Sequence, residues 1–147
     1  MQIKEERVLD RASEGVTLSY VEFTKDFADI REYVLRKGRT ISGTTEEKES
    51  VRIALDDILY FEAVGELVFA YTQGNVYEVK QRLYQLEEKL LPEKFCRASK
   101  SMLVNIYRIM SVRPTLNSRL YATMENGEDI LISRNYAKQI AKSLTEE

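Results

Sequence analysis

The stretch FCRASKSMLVNI, residues 95–106, decides how this chain folds. Its two ends are apolar and rich in residues that favour strands, while its centre, from Arg97 to Ser101, is polar and cationic. Burial of the apolar ends would hold Lys100 and the serines beside it at a fixed point on the surface. The stretch therefore predicts a strand-rich scaffold that presents a lysine in a defined position.

The surrounding chain also favours strands from residue 51 onward. Val51, Ile53 and Leu55 alternate with polar residues, and dense β-prone runs follow at 58–61 and 67–71. Two glycine-containing turns interrupt such runs, Gln73-Gly74-Asn75 and Asn126-Gly127. Because Asn-Gly is a preferred turn between paired strands, we expect two hairpins.

Three short helices are predicted among these strands. The first spans about 25–37, where Thr24 can cap the start and Gly38 can end the helix. The second contains several leucines and is stopped by Pro92, and the third lies at the C-terminus, where Ser133 can cap it. Both of the later helices have an apolar face that suits packing against a core.

The N-terminal third is expected to be organised separately. Residues 16–23 are β-prone and precede the first helix, whereas the acidic stretch from Ser42 to Ser50 lacks apolar residues other than small ones and resembles a loop. We therefore predict a strand and helix extension over residues 1–45 and a main domain over residues 46–147. The fold class is expected to be mainly β, of the α+β type, with short helices.

Composition excludes many classes of enzyme. The chain has 147 residues, of which 44% are hydrophobic and 31% charged, as in a packed globular protein. It has no histidine and one cysteine, Cys96. Sites built on histidine, Ser-His or Cys-His nucleophilic pairs and internal disulfides are therefore excluded, and no metal, cofactor or catalytic residue is expected.

Nothing in the sequence predicts export or membrane insertion. No apolar run approaches the roughly 18 residues that a membrane-spanning helix needs. The N-terminal stretch, residues 1–11, is charged throughout and has no apolar core of the kind found in signal peptides. We therefore expect a cytoplasmic protein.

The net charge of −2 hides an uneven distribution. Residues 1–75 hold 10 basic and 15 acidic side chains, whereas the segment 94–142 holds 9 basic and 3 acidic ones. Such a local surplus of lysine and arginine suits a polyanion, with the acidic half facing away. A solvated surface whose charge happens to be uneven is the alternative.

The segment ILISRNY, residues 130–136, places Arg134 in the first turn of a helix directly after a strand. Unpaired backbone N–H groups at such a helix start suit phosphate, and arginine can bind guanine O6 and N7 in a forked geometry. Lys100 can reach the same acceptors, while Ser99, Ser101 and Asn135 suit phosphate or water-mediated contacts. An ordinary ion pair is the alternative role for Arg134.

A helix-turn-helix is not expected, because residues 113–132 have the pattern of strands and the basic third offers one helix instead of a consecutive pair. Any contact with a DNA groove would come from loops and from the ends of elements.

Three segments, in this order and spacing, resemble the LytTR family, the LytR/AlgR-type DNA-binding domains of bacterial transcription regulators. They are the runs DILYFE (57–62), FCRASKSMLVN (95–105) and SRNY (133–136). The resemblance covers about residues 51–144 and implies stacked small β-sheets whose loops and C-terminal helix start enter major grooves. It implies that Lys100 and Arg134 contact bases, and that the loop around Glu66 and Leu67 forms a third contact. Arg97 and Lys138 complete the predicted DNA-binding set.

The resemblance also implies how such a protein works. Double-stranded DNA with repeated half-sites is the expected partner, and a homodimer is the expected binding form. Residues 1–50 are too few for the receiver domain that many family members carry, so we expect a small, receiver-free regulator. Its activity would then be set by protein level, by dimerisation or by a partner, such as a membrane protein. No small-molecule substrate is expected.

An enzyme and a protein-interaction module are the two alternative functions. An enzyme would have to use Asp56, Asp57 and Glu62 to hold Mg²⁺, but the two aspartates suit a turn before a buried strand and no general base is evident. A protein-interaction module would use the basic third to bind an acidic protein. The salt dependence of DNA binding distinguishes this second alternative from a DNA-binding regulator.

Overall fold

The computed structural model describes residues 1–90 and 94–145. Contacts divide the chain into two compact units, Met1–Leu35 and Arg36–Glu147.

The first unit is mostly irregular and ends in a helix. A 3-10 turn at Arg11–Ser13 is capped by Asp10, whose carboxylate accepts a hydrogen bond from the Ser13 N–H at 3.0 Å. Helix α1, Lys25–Lys37, confirms the helix expected over 25–37 and has no buried residue. The strand expected over 16–23 is wrong, because these residues pair with no other strand among those described and Val16 and Val21 are exposed.

The second unit contains a seven-stranded sheet in which all neighbours are antiparallel and the order is β2-β1-β5-β4-β3-β7-β6. Its strands are β1 Thr40–Thr44, β2 Ser50–Ala54, β3 Tyr60–Val64, β4 Leu67–Tyr71, β5 Val76–Val79, β6 Phe95–Ser99 and β7 Met102–Asn105. The expected turn at residues 73–75 is confirmed, since it joins the paired strands β4 and β5.

The loop expected from Ser42 to Ser50 is wrong, because most of β1 and the start of β2 lie there and pair with each other. A buried glycine explains the misleading pattern. A Cβ on Gly43 would lie 2.5 Å from the Ile53 side chain and 3.0 Å from the Tyr77 side chain. A side chain at this inward position would force its neighbours to shift, so the strand has glycine there and no large apolar residue. The functional division into residues 1–45 and 46–147 stays a prediction.

A second sheet and two helices cover the first sheet. Strands β8 Ile109–Pro114, β9 Leu120–Met124 and β10 Asp129–Ile132 form a sheet in the order β10-β9-β8. The Asn126-Gly127 hairpin is confirmed, and Gly127 adopts a positive φ of 88° in its turn. Helices α2, Leu83–Lys89, and α3, Arg134–Thr145, confirm the other two expected helices. Leu91, expected within α2, and Pro92, expected to end it, lie outside the described residues.

Two apolar cores form on opposite faces of the seven-stranded sheet, because neighbouring strand residues point in opposite directions. Phe61 and Leu103 enter the core beneath α2. Tyr60 and Val104, each next to one of these in the chain, enter the core formed with the second sheet and α3. The mainly β architecture of small stacked sheets with short helices is thus confirmed.

Candidate nucleic-acid interface

Two turns meet at one end of the seven-stranded sheet. The first joins β3 to β4 and the second joins β6 to β7. The Ala63 N–H donates a hydrogen bond to the Ser101 carbonyl at 2.8 Å, so the backbones of the two turns lie side by side. This end of the sheet carries three of the predicted site residues, Glu66, Lys100 and Ser101.

The β6–β7 turn holds Lys100 in a fixed backbone position. The pairing of β6 with β7 shifts register between Arg97 and Ser99, which leaves Ala98 as a bulge. Beyond the bulge, the Ser99 hydroxyl accepts a hydrogen bond from the Ser101 N–H at 3.3 Å. The Lys100 side chain is exposed and makes no ion pair with any residue that the structure describes. It is therefore available to a ligand.

The same bulge fixes the start of α3. The Ser133 N–H donates to the Ala98 carbonyl at 2.8 Å, and the Ser133 carbonyl accepts from the N–H groups of Tyr136 and Ala137. Because Ala98 lies two residues before Lys100 and Ser133 one residue before Arg134, chain geometry keeps the Cα atoms of the two cations within about 18 Å of each other. Both long side chains are exposed, so they project from adjacent elements.

Helix α3 has a buried face and a cationic face. Ala137 and Ile140 are buried against the second core. Arg134 and Lys138 are spaced by four residues, so they lie on one exposed side of the helix, with Asn135 exposed beside Arg134. Neither cation forms an ion pair within the described ranges 1–90 and 94–145. The helix thus carries a row of positive charge away from the core.

Arg97 differs from the other predicted site residues because its guanidinium is engaged inside the protein. Its side chain is 14% exposed and lies on the α2 side of the sheet. Its Nη1 donates to the Lys100 carbonyl at 2.6 Å, and its Nε lies 3.3 Å from Glu87 Oε2 on α2. The hydrogen-bonding groups of Arg97 are therefore directed at the turn and at α2.

Sequence reasoning missed Arg82, which lies close to this end of the sheet. Arg82, Lys100 and Glu66 line one depression of about 450 Å³. Gly65, before Glu66, has a φ of +63°, which favours glycine in such a turn. No charge surplus could have indicated Arg82, because residues 76–91 hold 3 basic and 3 acidic side chains.

Two other arginines of the basic third, Arg108 and Arg113, form ion pairs within the protein. Arg113 Nη2 lies 2.9 Å from Asp129 Oδ2, and the hydrogen bonds from Arg113 and then Thr123 lower the pKa of Asp129. Arg108 Nη1 lies 3.0 Å from Glu125 Oε2. The acidic residues of the segment 94–142 therefore compensate Arg108 and Arg113, and the positive surplus remains elsewhere.

Asp56 is the centre of an ion-pair cluster that sequence reasoning also missed. Its buried carboxylate lies 2.7 Å from Lys37 Nζ, 3.1 Å from Arg108 Nη2 and 3.5 Å from Arg36 Nε. Burial alone would raise the pKa of Asp56. The hydrogen bond from Lys37 and the charges of Arg108, Lys37 and Arg36 outweigh burial, and the pKa lies below its usual value.

The side chains considered for enzyme chemistry are engaged in contacts within the fold. Asp56 is neutralised by its cations, and Glu62 accepts a hydrogen bond from the Tyr71 hydroxyl at 3.4 Å. Burial raises the pKa of the Cys96 thiol. In the described part of the chain, no group of three or more acidic or cysteine side chains is placed to hold a metal ion.

Asn105, at the end of the FCRASKSMLVN run, also has a structural role. Its buried amide donates to the Ile58 carbonyl at 2.9 Å and accepts from the Tyr107 N–H at 3.1 Å. Asn105 therefore joins the segment just before β3 to the turn after β7. Across the described helices, none is long and apolar enough to cross a membrane.

Comparison with known proteins gives a consistent result. The model of the LytTr DNA-binding domain family matches residues 48–145. The chain is 33% identical over 98 residues to the sensory transduction protein LytT of Bacillus cereus, which is 67% of this chain and 40% of that protein. It therefore spans less than half the length of that relative.

A second relative is more similar in length. It is an uncharacterized HTH-type transcriptional regulator, SAB2242, of Staphylococcus aureus, 33% identical over 111 residues, or 76% of this chain and 74% of that protein. Despite the relative's description, no two α-helices in residues 1–90 and 94–145 of this chain follow each other without intervening strands.

A solved structure has the same fold. It is the LytTr DNA-binding domain of a Bacillus cereus protein described as a methyl-accepting/DNA response regulator. The TM-score is 0.66 at 24% identity, with 72% of this chain and 96% of that chain covered. The family model alone matches more than half of the chain, so this protein belongs to the LytTR family and contains a LytTr DNA-binding domain.

Proposed function

We propose that the protein reads a specific DNA sequence by placing the β6–β7 turn and the start of α3 in the major groove. One observation carries this proposal: the hydrogen bond from Ser133 to Ala98 keeps two exposed cations, Lys100 and Arg134, on adjacent elements. A major groove about 12 Å wide admits either element, and Cα atoms no more than about 18 Å apart allow both long side chains to reach base edges of one duplex.

Lys100 and Arg134 are the proposed base-reading residues. Arginine donates two parallel hydrogen bonds to guanine O6 and N7, and lysine can donate to the same atoms. Because both side chains are exposed and make no ion pair in the described structure, reading bases would break no ion pair of the protein.

The neighbouring polar groups suit the sugar-phosphate backbone. Lys138 lies one helical turn after Arg134, and Asn135 lies beside Arg134. Ser101 is exposed at the tip of the β6–β7 turn, and Ser99 is partly exposed beside it. Contacts of these kinds with phosphate fix the register of a protein on DNA without reading its sequence.

Glu66 is proposed as a third base contact. Its carboxylate is exposed at the tip of the β3–β4 turn and lies at the same end of the sheet as Lys100. A carboxylate repels phosphate and only accepts hydrogen bonds when ionised. The major groove offers it two amino donors, cytosine N4 and adenine N6, and adenine also presents the acceptor N7 beside its amino group. Glu66 would therefore favour cytosine.

We further propose that the protein acts in the cytoplasm as a homodimer on repeated half-sites. Two copies double the number of contacts, and a repeated site matches two identical subunits. Residues 1–45 would then serve contacts with other proteins, including a membrane protein that controls the regulator. Large exposed apolar residues in the first unit, among them Leu9 at 97% and Val21 at 107%, support such contacts.

Fluorescence anisotropy with labelled duplexes from the promoter of the protein's own gene tests this proposal. We expect saturable binding whose log K falls with log salt by about 0.9 for every phosphate neutralised. A scrambled duplex of equal length should bind more weakly. Binding that is insensitive to salt, or equal on both duplexes, would contradict the proposal, and binding only to acidic proteins would support the protein-interaction module.

A further inference from the structure

The most conspicuous polar cluster near the proposed interface is one that does not face outward. Arg97 joins two elements, since it donates to the Lys100 carbonyl at 2.6 Å and pairs with Glu87 of α2 at 3.3 Å. Its side chain is 14% exposed, whereas Glu87 is 43% exposed. Both of these contacts would be lost if Arg97 turned toward a DNA phosphate.

We propose that Arg97 is a positioning residue, and that the Glu87–Arg97 pair sets the conformation of the β6–β7 turn so that Lys100 reaches its base. This inference rests on the proposed function. It assigns Arg97 a role different from direct DNA contact, and it gives Glu87, on a helix away from the turn, a part in DNA specificity.

The geometry of the turn explains why it needs the Glu87–Arg97 pair, which acts as a brace. The register shift between Arg97 and Ser99 interrupts the regular pairing of β6 with β7 just before Lys100. A bulge interrupts the pairing of the two strands and bends the bulged strand, so the backbone beyond it depends on contacts other than the strand ladder. The hydrogen bond from Arg97 to the Lys100 carbonyl restrains the backbone directly at the residue proposed to read a base.

Arginine suits this role better than lysine. The planar guanidinium presents several N–H groups in fixed directions, so one side chain can bind the Lys100 carbonyl and the Glu87 carboxylate together. Glu87 holds the guanidinium in the orientation that serves the turn. An ammonium group on a flexible chain would favour one partner and leave the other.

Removal of Glu87 separates the two possible roles of Arg97. Simple electrostatics predicts that Glu87→Gln tightens binding to every DNA, because a negative charge near a polyanion is lost. The brace predicts the opposite for the preferred sequence. Once Glu87 no longer orients Arg97, the turn loosens and Lys100 loses its advantage for the correct base.

The experiment uses the full chain and a duplex selected by the wild-type protein from a randomised pool. The affinity of each variant is measured on this duplex and on derivatives with single base-pair changes, over a series of salt concentrations. We expect Arg97→Gln and Glu87→Gln each to lower the ratio of correct to changed affinity by about tenfold, the size of one base contact, with an unchanged salt slope. Arg97→Lys should not restore the ratio.

Combination with Lys100→Ala completes the test. If Arg97 acts through Lys100, Arg97→Gln should have little further effect on specificity once Lys100 is removed. A salt slope that falls by about 0.9 in Arg97→Gln, with equal losses on all duplexes, would instead make Arg97 a phosphate contact and overturn the inference. Tighter or unchanged binding of the selected duplex by Glu87→Gln would also overturn it.

Two controls keep the outcomes distinct. Thermal unfolding of each variant shows whether the fold is intact, and if Arg97→Gln does not fold, the half-exposed Glu87 position still decides between the roles. If the wild-type chain selects no preferred duplex, the proposed function itself fails, and this inference fails with it. If the wild-type chain and Glu87→Gln discriminate equally well between the selected duplex and its derivatives, the proposed role of the Glu87–Arg97 pair is rejected. The proposed function itself is then unaffected.

Discussion

The two ends of the β6–β7 hairpin differ in whether the cationic side chains there form ion pairs within the protein. Beyond the end of β7, three of them surround one buried carboxylate, that of Asp56: Arg36, Lys37 and Arg108. At the turn end, Lys100 and neighbouring Arg134 are exposed and make no ion pair with any described residue. The difference shows that the number of basic residues in a segment does not measure how much positive charge it offers to a ligand.

Each arrangement has a physical cause. A buried carboxylate loses its hydration and is stable as an anion only when cations and donors replace the water. The cations around Asp56 are therefore part of the fold. Exposed cations keep their hydration in the unbound protein, and they release counterions from DNA when they meet phosphates. Side chains of this kind are available for binding at little cost to folding.

The largest expected effect is on stability at Asp56. Asp56→Ala leaves the surrounding cations without their shared anion, and we expect it to lower the free energy of unfolding by about 3 kcal/mol. Urea denaturation followed by circular dichroism measures the change. Asp57→Ala is the matched control, because Asp57 is adjacent in sequence but exposed. A similar small loss in both variants would remove the distinction between the two ends.

The same carboxylate should make stability depend on pH. The pKa of Asp56 is lower in the folded protein, so the unfolded chain binds its proton more readily. The stabilisation is therefore complete above the pH at which an unfolded aspartate ionises, near 3.8, and is lost as the pH falls through the lower pKa of the folded state.

Unfolding measured between pH 7 and pH 2 tests this dependence. The stability of the wild-type chain should fall more steeply in the acid range than that of Asp56→Asn, which has no proton to gain at this position. Parallel curves for the two proteins would show that other carboxyl groups account for acid unfolding.

On the binding side, Arg134→Ala should have the largest effect. We expect it to cost about 1–3 kcal/mol on the preferred duplex and to relax the preference at one base position, because a forked contact to guanine is lost. Anisotropy titrations on the preferred duplex and its single-position derivatives measure both changes. Equal losses on preferred and scrambled DNA would make Arg134 a contact to the backbone.

Local patterns in the sequence were sufficient for most of the fold. Helix α1 and the hairpin at Asn126-Gly127 follow from caps, periodicity and turn residues, which act over a few positions. The β1–β2 hairpin was not predicted, because position 43 is a glycine. The reason for this glycine is its close packing against Ile53 and Tyr77, which are distant in the sequence. Residues 16–23 were wrongly predicted to form a strand, because residues with strand propensity form a strand only where a partner strand is present.

At the candidate site, too, the sequence predicted local features but not contacts between distant residues. The exposure of Lys100 and Arg134 agrees with what the sequence predicted, because polar residues next to buried strands point outward. The pairing of Arg97 with Glu87 joins β6 to α2, and that of Asp56 with Arg108 joins residues far apart in the chain. No local pattern reveals such pairs, so residue type alone could not separate cations that bind within the protein from those available to DNA.

The smallest effects give the finest test of this distinction, through Lys138 and Arg113. Lys138→Ala should weaken binding to all sequences alike and reduce the salt slope by about 0.9, because an unpaired cation that contacts phosphate is lost. Arg113→Ala removes the same charge, but Asp129 already neutralises it at 2.9 Å on the surface. Its affinity for DNA and its salt slope should both stay close to those of the wild type. Equal slopes for the two variants would mean that internal pairing does not decide which cations meet DNA.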